Sequence, residues 1–384
     1  MNDVSIVRCL SYDIDAVRAA VRQLLMPLGG IESFVNPGDK VLLKANLLMR
    51  RKPEAVTTTH PAIVQAVAEL VLEAGGKPII CDSPGGYHFY TTSTLDAVYE
   101  TCGMKEAARA SGAELSYDTE VEDVPWPGGR MMKSVKTIRP VLHADKIINL
   151  PKLKTHMMMV YSGAVKNLFG IIPGSFKTEY HFRFEDENDF AGVLVDICEF
   201  AKPALTVMDA VVGMEGYGPT NGHPRQVGLV LASADPYRLD VVAASTIGLD
   251  PRKVPTIRES AARGFCTTRV EDVRIAGPAL AEVAVPDFDK PTTKVAFNVY
   301  DWVLPKPVAK WLNRRLKAKP RFRLSACRGC GVCAKSCPAK AIEMAGGKPS
   351  ADLGKCISCF CCHELCRFDA VDIKRPWIMR VLMR

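Results

Sequence analysis

Two runs of cysteine near the C-terminal end constrain this chain more than any other feature. The first is Cys327-x2-Cys330-x2-Cys333-x3-Cys337, followed by Pro338. The second is Cys356-x2-Cys359-x2-Cys362-x3-Cys366. Three thiols at i, i+3 and i+6 in a tight loop can supply three of the four thiolates that a cubane [4Fe–4S] cluster needs. A zinc site typically draws its ligands from two separated pairs, a different pattern. A disulfide framework needs an oxidising compartment, and the opening residues Met1 to Arg8 mix acid and base without a long apolar stretch, so no secretory leader is expected. The segments after the runs also match: Ala339-Lys-Ala-Ile-Glu343 answers Asp369-Ala-Val-Asp372. The unit therefore reads as an internal duplication holding two [4Fe–4S] clusters. About fifty residues bury little core, and the clusters would supply the missing cross-links.

The paired runs resemble bacterial two-cluster ferredoxins, in which the fourth cysteine of each run ligates the other cluster. That resemblance implies one cluster on Cys327, Cys330, Cys333 and Cys366, and another on Cys356, Cys359, Cys362 and Cys337. Arg367 stands where the first run has Pro338. A cation there favours the reduced cluster and predicts a higher potential. Cys361 falls outside the ligand spacing and reads as a spare thiol.

The chain has 384 residues, 48% of them hydrophobic and 24% charged, which suits a globular protein of two or more domains. No apolar run reaches the ~18 residues of a membrane span. Cys9, Cys81, Cys102, Cys198 and Cys266 are scattered and odd in number, as reduced core thiols in a cytoplasm would be.

Residues 1–290 alternate short apolar runs with helical patterns, the signature of an α/β ligand-binding domain with a largely parallel sheet and flanking helices. Strands are expected at Lys40–Ala45, Pro78–Asp82, Lys146–Leu150, Leu205–Asp209 and Val227–Ala232. Helices are expected at Pro61–Gly75, Phe190–Ala201 and Arg238–Ile247. Residues 291–323 form a basic connector, 324–373 a small α+β bacterial ferredoxin-like domain, and 374–384 a basic tail. Between Lys306 and Arg323 stand eight lysines and arginines and no acid. Val308, Trp311, Leu312 and Leu316 share one helical face, which would pack on the α/β domain or lie on an acidic membrane surface. No nucleic-acid-binding module is recognisable. These features point to the cytoplasm, with the inner face of the membrane as a place of peripheral contact.

Polar residues gather at the predicted strand ends, where open α/β sheets bind ligands. Lys44 and Asn46 close the first strand, and His60 precedes the first helix. Asp82-Ser83-Pro84-Gly85 closes the second. Between Lys152 and His181 come Lys154, His156, Lys166, Asn167 and Lys177. So many lysines, with histidines and glycines between them, suit an anionic ligand or a metal-bearing cofactor. No Walker A or G-x-G-x-x-G loop is present, so ordinary nucleotide binding is not expected. The glycine-rich loop Gly213–Pro219 reads as a wall of the site, and Asp235 and Asp240 read as N-caps.

At Lys40-Val-Leu-Leu-Lys44-x-Asn46, Thr58-Thr-His60-Pro61, Cys81-Asp82-Ser83-Pro84-Gly85, Leu150-Pro-Lys152-Leu-Lys154-Thr-His156, Lys166-Asn167-Leu-Phe-Gly170 and Asp235-Pro236 the chain resembles a family of bacterial and archaeal proteins. These join a domain of unknown function, family 362, to a two-cluster ferredoxin. The resemblance implies an architecture and leaves the reaction open. The spacing His156-x9-Lys166-x6-Pro173-Gly174-x6-His181 is also similar to the lactate racemase family, where a lysine carries a nickel-pincer nucleotide and histidines ligate nickel and move protons. By that similarity Lys166 would tether or position a nickel-containing cofactor, with His156 and His181 as base and ligand.

The sequence thus predicts an iron–sulfur redox protein whose ferredoxin domain exchanges electrons with a site on the α/β domain. His156, Lys166 and His181 would carry the chemistry there. Lys44, Asn46, His60, Lys152, Lys154 and Asn167 would hold the ligand or cofactor. A redox partner protein would exchange electrons with the clusters. The alternatives are an electron carrier or assembly factor without catalysis, and racemase-like nickel chemistry.

Overall fold

The computed structural model describes residues 3–85, 89–174, 176–184, 186–291 and 319–374. The larger unit is built on a ten-stranded sheet. Its strands are β1 (Val4–Arg8), β2 (Lys40–Ala45), β3 (Lys77–Cys81) and β4 (Glu114–Leu115). After a separate hairpin of β5 (Val121–Pro125) and β6 (Ser134–Ile138) come β7 (Lys146–Leu150), β8 (Lys152–His156) and β9 (Val160–Ser162). Next are β10 (Leu205–Glu215), β11 (His223–Ser233) and β12 (Ile275–Ala276). The order is β12-β1-β11-β10-β7-β2-β3-β4, with β8 on β10 and β9 on β8. Parallel pairings run from β4 through β3, β2 and β7 to β10, and join β8 to β10 and β12 to β1. Antiparallel pairings join β11 to β1 and β10, and β9 to β8. The fold is α/β with a mostly parallel sheet.

The composition of β2 shows why. Its residues after Lys40 are all buried, as a strand covered on both faces requires. Val41 and Leu43 enter one core, shared with helices Ile14–Leu25 and Pro61–Glu73. Leu42, pointing the other way, enters a second core with helix Glu187–Ala201. Helix Pro61–Glu73 starts with proline in its first turn, its N-cap His60 accepting from the Ala62 N–H through Nδ1. Gly75 just beyond it has φ +80.

The strands read from sequence lie where expected, but β10 and β11 are longer. Asp209 consequently sits inside β10 rather than at its end. Asp235 caps helix Pro236–Thr246 as expected. Asp240 does not cap its own helix. It lies within that helix and accepts from the Ala164 and Val165 N–H groups at 2.6 and 3.0 Å, so it caps the neighbouring helix Ala164–Asn167.

The smaller unit pairs β13 (Lys319–Phe322) with β16 (Val371–Lys374) and β14 (Ile342–Ala345) with β15 (Lys348–Ala351), all antiparallel. Its first strand, Lys319–Phe322, is formed by the last residues of the stretch read as the basic connector. Short helices Val332–Lys335 and Cys361–Glu364 follow the cysteine loops. Residues 292–318 and 375–384, which carry most of the basic connector and tail, lie outside the described residues. Among the described residues no helix is long and apolar enough to cross a membrane.

Candidate functional site

The cysteines come together in two sets. Cys327, Cys330, Cys333 and Cys366 line one small cavity with Phe322, Val332, Phe368 and Val371. Cys359 and Cys356 bear electrostatically on both Cys337 and Cys362, and Cys362 also feels Cys333 and Cys337. Each set takes its fourth member from the other run. The Ala341 N–H points at Cys337 Sγ and the Ala370 N–H at Cys366 Sγ, both at 3.2 Å. These matched contacts repeat the duplication in three dimensions, and such donors stabilise thiolate ligands. Thiols in an apolar lining with amides aimed at sulfur fit iron–sulfur clusters.

The second site is a cavity of about 80 Å³ at the carboxyl ends of β2 and β3. Asn46, Leu48 and Met49 come from the first strand end and Asp82, Ser83 and Gly85 from the second. Lys154, Lys166, Asn167, Lys177 and His181 come from the central segment, and Thr220 from the loop after β10. Cys361, Glu364 and Leu365 come from the smaller unit and complete the wall.

Lys166 is held in place from beneath. Lys44, opposite Asn149 in register, is fully buried and forms an ion pair with Asp82 at 2.7 Å. Its ammonium also donates to the carbonyl oxygens of Ala45 and Asn167. Asn167 donates to the Lys44 carbonyl and to Asn149 Oδ1. Gly170 packs so closely here that a Cβ would come within 2.2 Å of Asp82 Oδ1. The Lys166-Asn-Leu-Phe-Gly170 motif is therefore fitted to the Lys44–Asp82 pair. Lys44 is a positioning residue and does not line the cavity.

Three lysines reach the cavity. Lys154 donates to Asn46 Oδ1 (2.6 Å) and the Thr57 carbonyl (2.8 Å). Lys177 donates to the Ser83 carbonyl (2.7 Å) and Oγ (3.3 Å). Burial holds both ammonium groups down to about 7. Lys166 makes no hydrogen bond or ion pair among the described residues, and its Nζ lies 5.7 Å from the Phe169 ring centre. Burial lowers its pKa as well, opposed by Glu364 and Cys361.

His181 stacks on Phe190 at 4.4 Å, and its buried Nδ1 has no partner among the described residues. Burial, then the Lys166 charge, takes it down to about 3, so the ring is neutral at pH 7. His156 lies in the wall behind Glu364, with its Nε2 3.5 Å from Glu364 Oε1. Its Nδ1 accepts from the Met158 and Met159 N–H groups, both at 3.1 Å. Burial keeps it neutral. With Nδ1 accepting, the proton sits on Nε2. His156 does not itself line the cavity, and its Nε2 has no hydrogen-bond partner among the described residues. A base or metal-ligand role at Nε2, as expected from the sequence, would turn an N–H toward those two backbone N–H groups.

His60 and Lys152 lie apart from the cavity. The His60 ring stacks on Tyr12 at 3.6 Å. Lys152 donates to Tyr12 Oη (2.6 Å) and Asp209 Oδ2 (2.9 Å), and Tyr12 donates to Asp209 Oδ1. This network is satisfied internally and braces β8 against β10.

The two units are hydrogen-bonded at the cavity rim. Thr220 Oγ1 donates to the Glu364 carbonyl and Asn221 Nδ2 to the His363 carbonyl, both at 2.8 Å. Thr155 holds the approach to that loop through the Met214 and Gly216 carbonyls. A Cβ on Gly218 would meet the Thr155 carbonyl oxygen at 2.1 Å, which explains the glycine. Sequence reasoning missed Glu364 and read Cys361 only as a spare thiol, because residues inside a ligand run are read for the cluster alone.

Residues 41–245 match the family described as a domain of unknown function, DUF362, and residues 319–367 match a 4Fe-4S dicluster domain. The chain is 37% identical over 278 residues to the thylakoid-associated protein sll1697 of Synechocystis sp., covering 71% of this chain and 82% of that protein. The lactate racemase apoprotein from Thermoanaerobacterium thermosaccharolyticum superposes with a TM-score of 0.41 at 12% identity. The match covers 65% of this chain and 57% of the racemase, and a likeness at that level carries no chemistry across.

Proposed function

The chain belongs to the DUF362 family, and from that premise we propose that its iron–sulfur domain exchanges electrons with a small anionic ligand bound in the cavity between the two units. One observation carries the reading. The segment Cys361–Leu365, which lies between cluster cysteines Cys359 and Cys366, is also a wall of the cavity that holds Lys154, Lys166, Lys177 and His181. In this reading two [4Fe–4S] clusters act in series. The cluster on Cys337, Cys356, Cys359 and Cys362 stands beside the cavity. The cluster on Cys327, Cys330, Cys333 and Cys366, with Cys330 exposed, meets a redox partner protein.

The chain's own residues then have distinct tasks. Lys154 and Lys177 each keep a donor for an anion after their protein bonds are counted. Neutral His181, which lines the cavity, takes up or releases a proton, and His156 stands behind Glu364. The α/β wall and the smaller unit together keep bulk water from the ligand. The thylakoid association in the name of the cyanobacterial relative and the basic connector together favour a location on a membrane surface.

Anaerobic purification, metal analysis and mass spectrometry of released small molecules test the reading. A bound acid, together with reoxidation of the reduced clusters by that acid, supports it. Clusters whose oxidation rate is indifferent to every ligand found would instead mark a carrier without catalysis. Nickel with a nucleotide would move the chemistry to the racemase type.

A further inference from the structure

The cavity lysines divide by their unused valences. An ammonium has three N–H donors. Lys154 gives two to Asn46 and Thr57, and Lys177 gives two to Ser83. Each is an anchored cation with one donor to spare. Lys166 gives none, although it lines the same cavity. No acceptor among the described residues bonds it. Glu364, whose buried Oε1 has no hydrogen-bond partner among those residues, bears on its charge without a bond. Neutral His181, whose buried Nδ1 likewise lacks a partner there, lines the same cavity. A lysine freed of acceptors, set among other cations in a desolvated pocket, has the features of a nucleophilic amine. The anchored pair and the free amine together ask for a ligand with a carboxylate at one end and an electrophilic carbon close to it. The cavity, about 80 Å³, limits that ligand to a short chain.

We propose that Lys166 forms an imine with the carbonyl carbon of a short 2-oxo acid whose carboxylate is held by Lys154 and Lys177. The proposal names the ligand class of the electron-exchange reading and rests on it for the ligand's presence in this cavity. In the step, the Nζ lone pair makes the C–N bond as the carbonyl π bond breaks toward oxygen. Both amine protons end on that oxygen, with His181 Nδ1 as the relay, and the oxygen departs as water. No oxidant or reductant is consumed. The lowered basicity of Lys166 keeps more of it as free amine at neutral pH than a surface lysine.

The test treats the anaerobic full chain with pyruvate and sodium cyanoborohydride and maps the reduced adduct by peptide mass spectrometry. The expected adduct is on Lys166, in at least about tenfold excess over exposed Lys253. Propionate, which has the carboxylate and no carbonyl, should suppress it. Lys154→Met should reduce it several-fold while leaving the iron content intact. Labelling of Lys166 no faster than Lys253, labelling of Lys154 or Lys177 in its place, or a cofactor already bonded to Lys166 overturns the proposal. Cluster potentials measured on the same samples separate the two ideas. An unlabelled Lys166 with a pyruvate-dependent shift in one cluster removes the imine and leaves electron exchange standing. A labelled Lys166 with no shift does the reverse.

Discussion

Lys44 Nζ and Asp82 Oδ1 form an ion pair 2.7 Å long, and neither side chain reaches solvent. The other Asp82 oxygen accepts from the Leu47 N–H at 2.7 Å. The pair thus ties the ends of β2 and β3 to the segment that carries Lys166. Removing one partner leaves the other charged and buried. Lys44→Met and Asp82→Leu should each cost about 3–5 kcal/mol, read as loss of stability in denaturant unfolding of the full chain. The double variant should recover part of that loss.

Eight cysteines with two-cluster spacing should bind about eight irons and eight sulfides per chain. Cys361→Ala should keep that content, since Cys361 faces the cavity wall. Cys359→Ala should lose or degrade one cluster. Four irons after complete reconstitution would contradict the ligand assignment.

Anion binding should depend on pH through Lys154 and Lys177, both held down to about 7 by burial. Each lysine is cationic below that value and neutral above it. Glu364 in the same cavity, pushed up to about 7 by burial, is neutral below it and charged above, and an anion favours the low-pH form of all three. Affinity for pyruvate should therefore be greatest below pH 7. It should fall by about tenfold or more per pH unit above pH 8. Binding should also take up protons near pH 7, which calorimetry in buffers of different ionisation enthalpy would measure. Affinity rising with pH would contradict the lysine cradle.

The basic connector, by its sequence, should bring the chain to anionic vesicles at low salt, with binding that weakens as salt rises. Neutral vesicles should bind less in a sedimentation assay. Equal binding to both would show that the lysines and arginines are not the contact.

The strands and helices around the site were legible because their apolar periods are strong. The run at Val41–Leu43 sends alternate residues into two cores, as a covered strand must. The cavity lysines were legible as a cluster, but their division of labour was not. Lys44 and Lys152 look like Lys154 in sequence, and only their ion pairs with Asp82 and Asp209 reveal them as internal braces. The tautomer of His156 depends on two backbone N–H groups that no pattern announces. Glu364 was hidden because its meaning comes from a unit more than a hundred residues away in sequence. The contact from Thr220 to the Glu364 carbonyl joins the two across the cavity rim.

The most direct measurement is an anaerobic redox titration followed by electron paramagnetic resonance, with and without saturating pyruvate. A negative ligand next to a cluster opposes the added electron. The account predicts that one cluster moves to lower potential on binding and the other stays. Reduction should weaken pyruvate binding by the same factor, as linkage requires. Pyruvate bound at saturation, with both cluster potentials and both spectra unchanged, would contradict electron exchange between the iron–sulfur domain and the cavity.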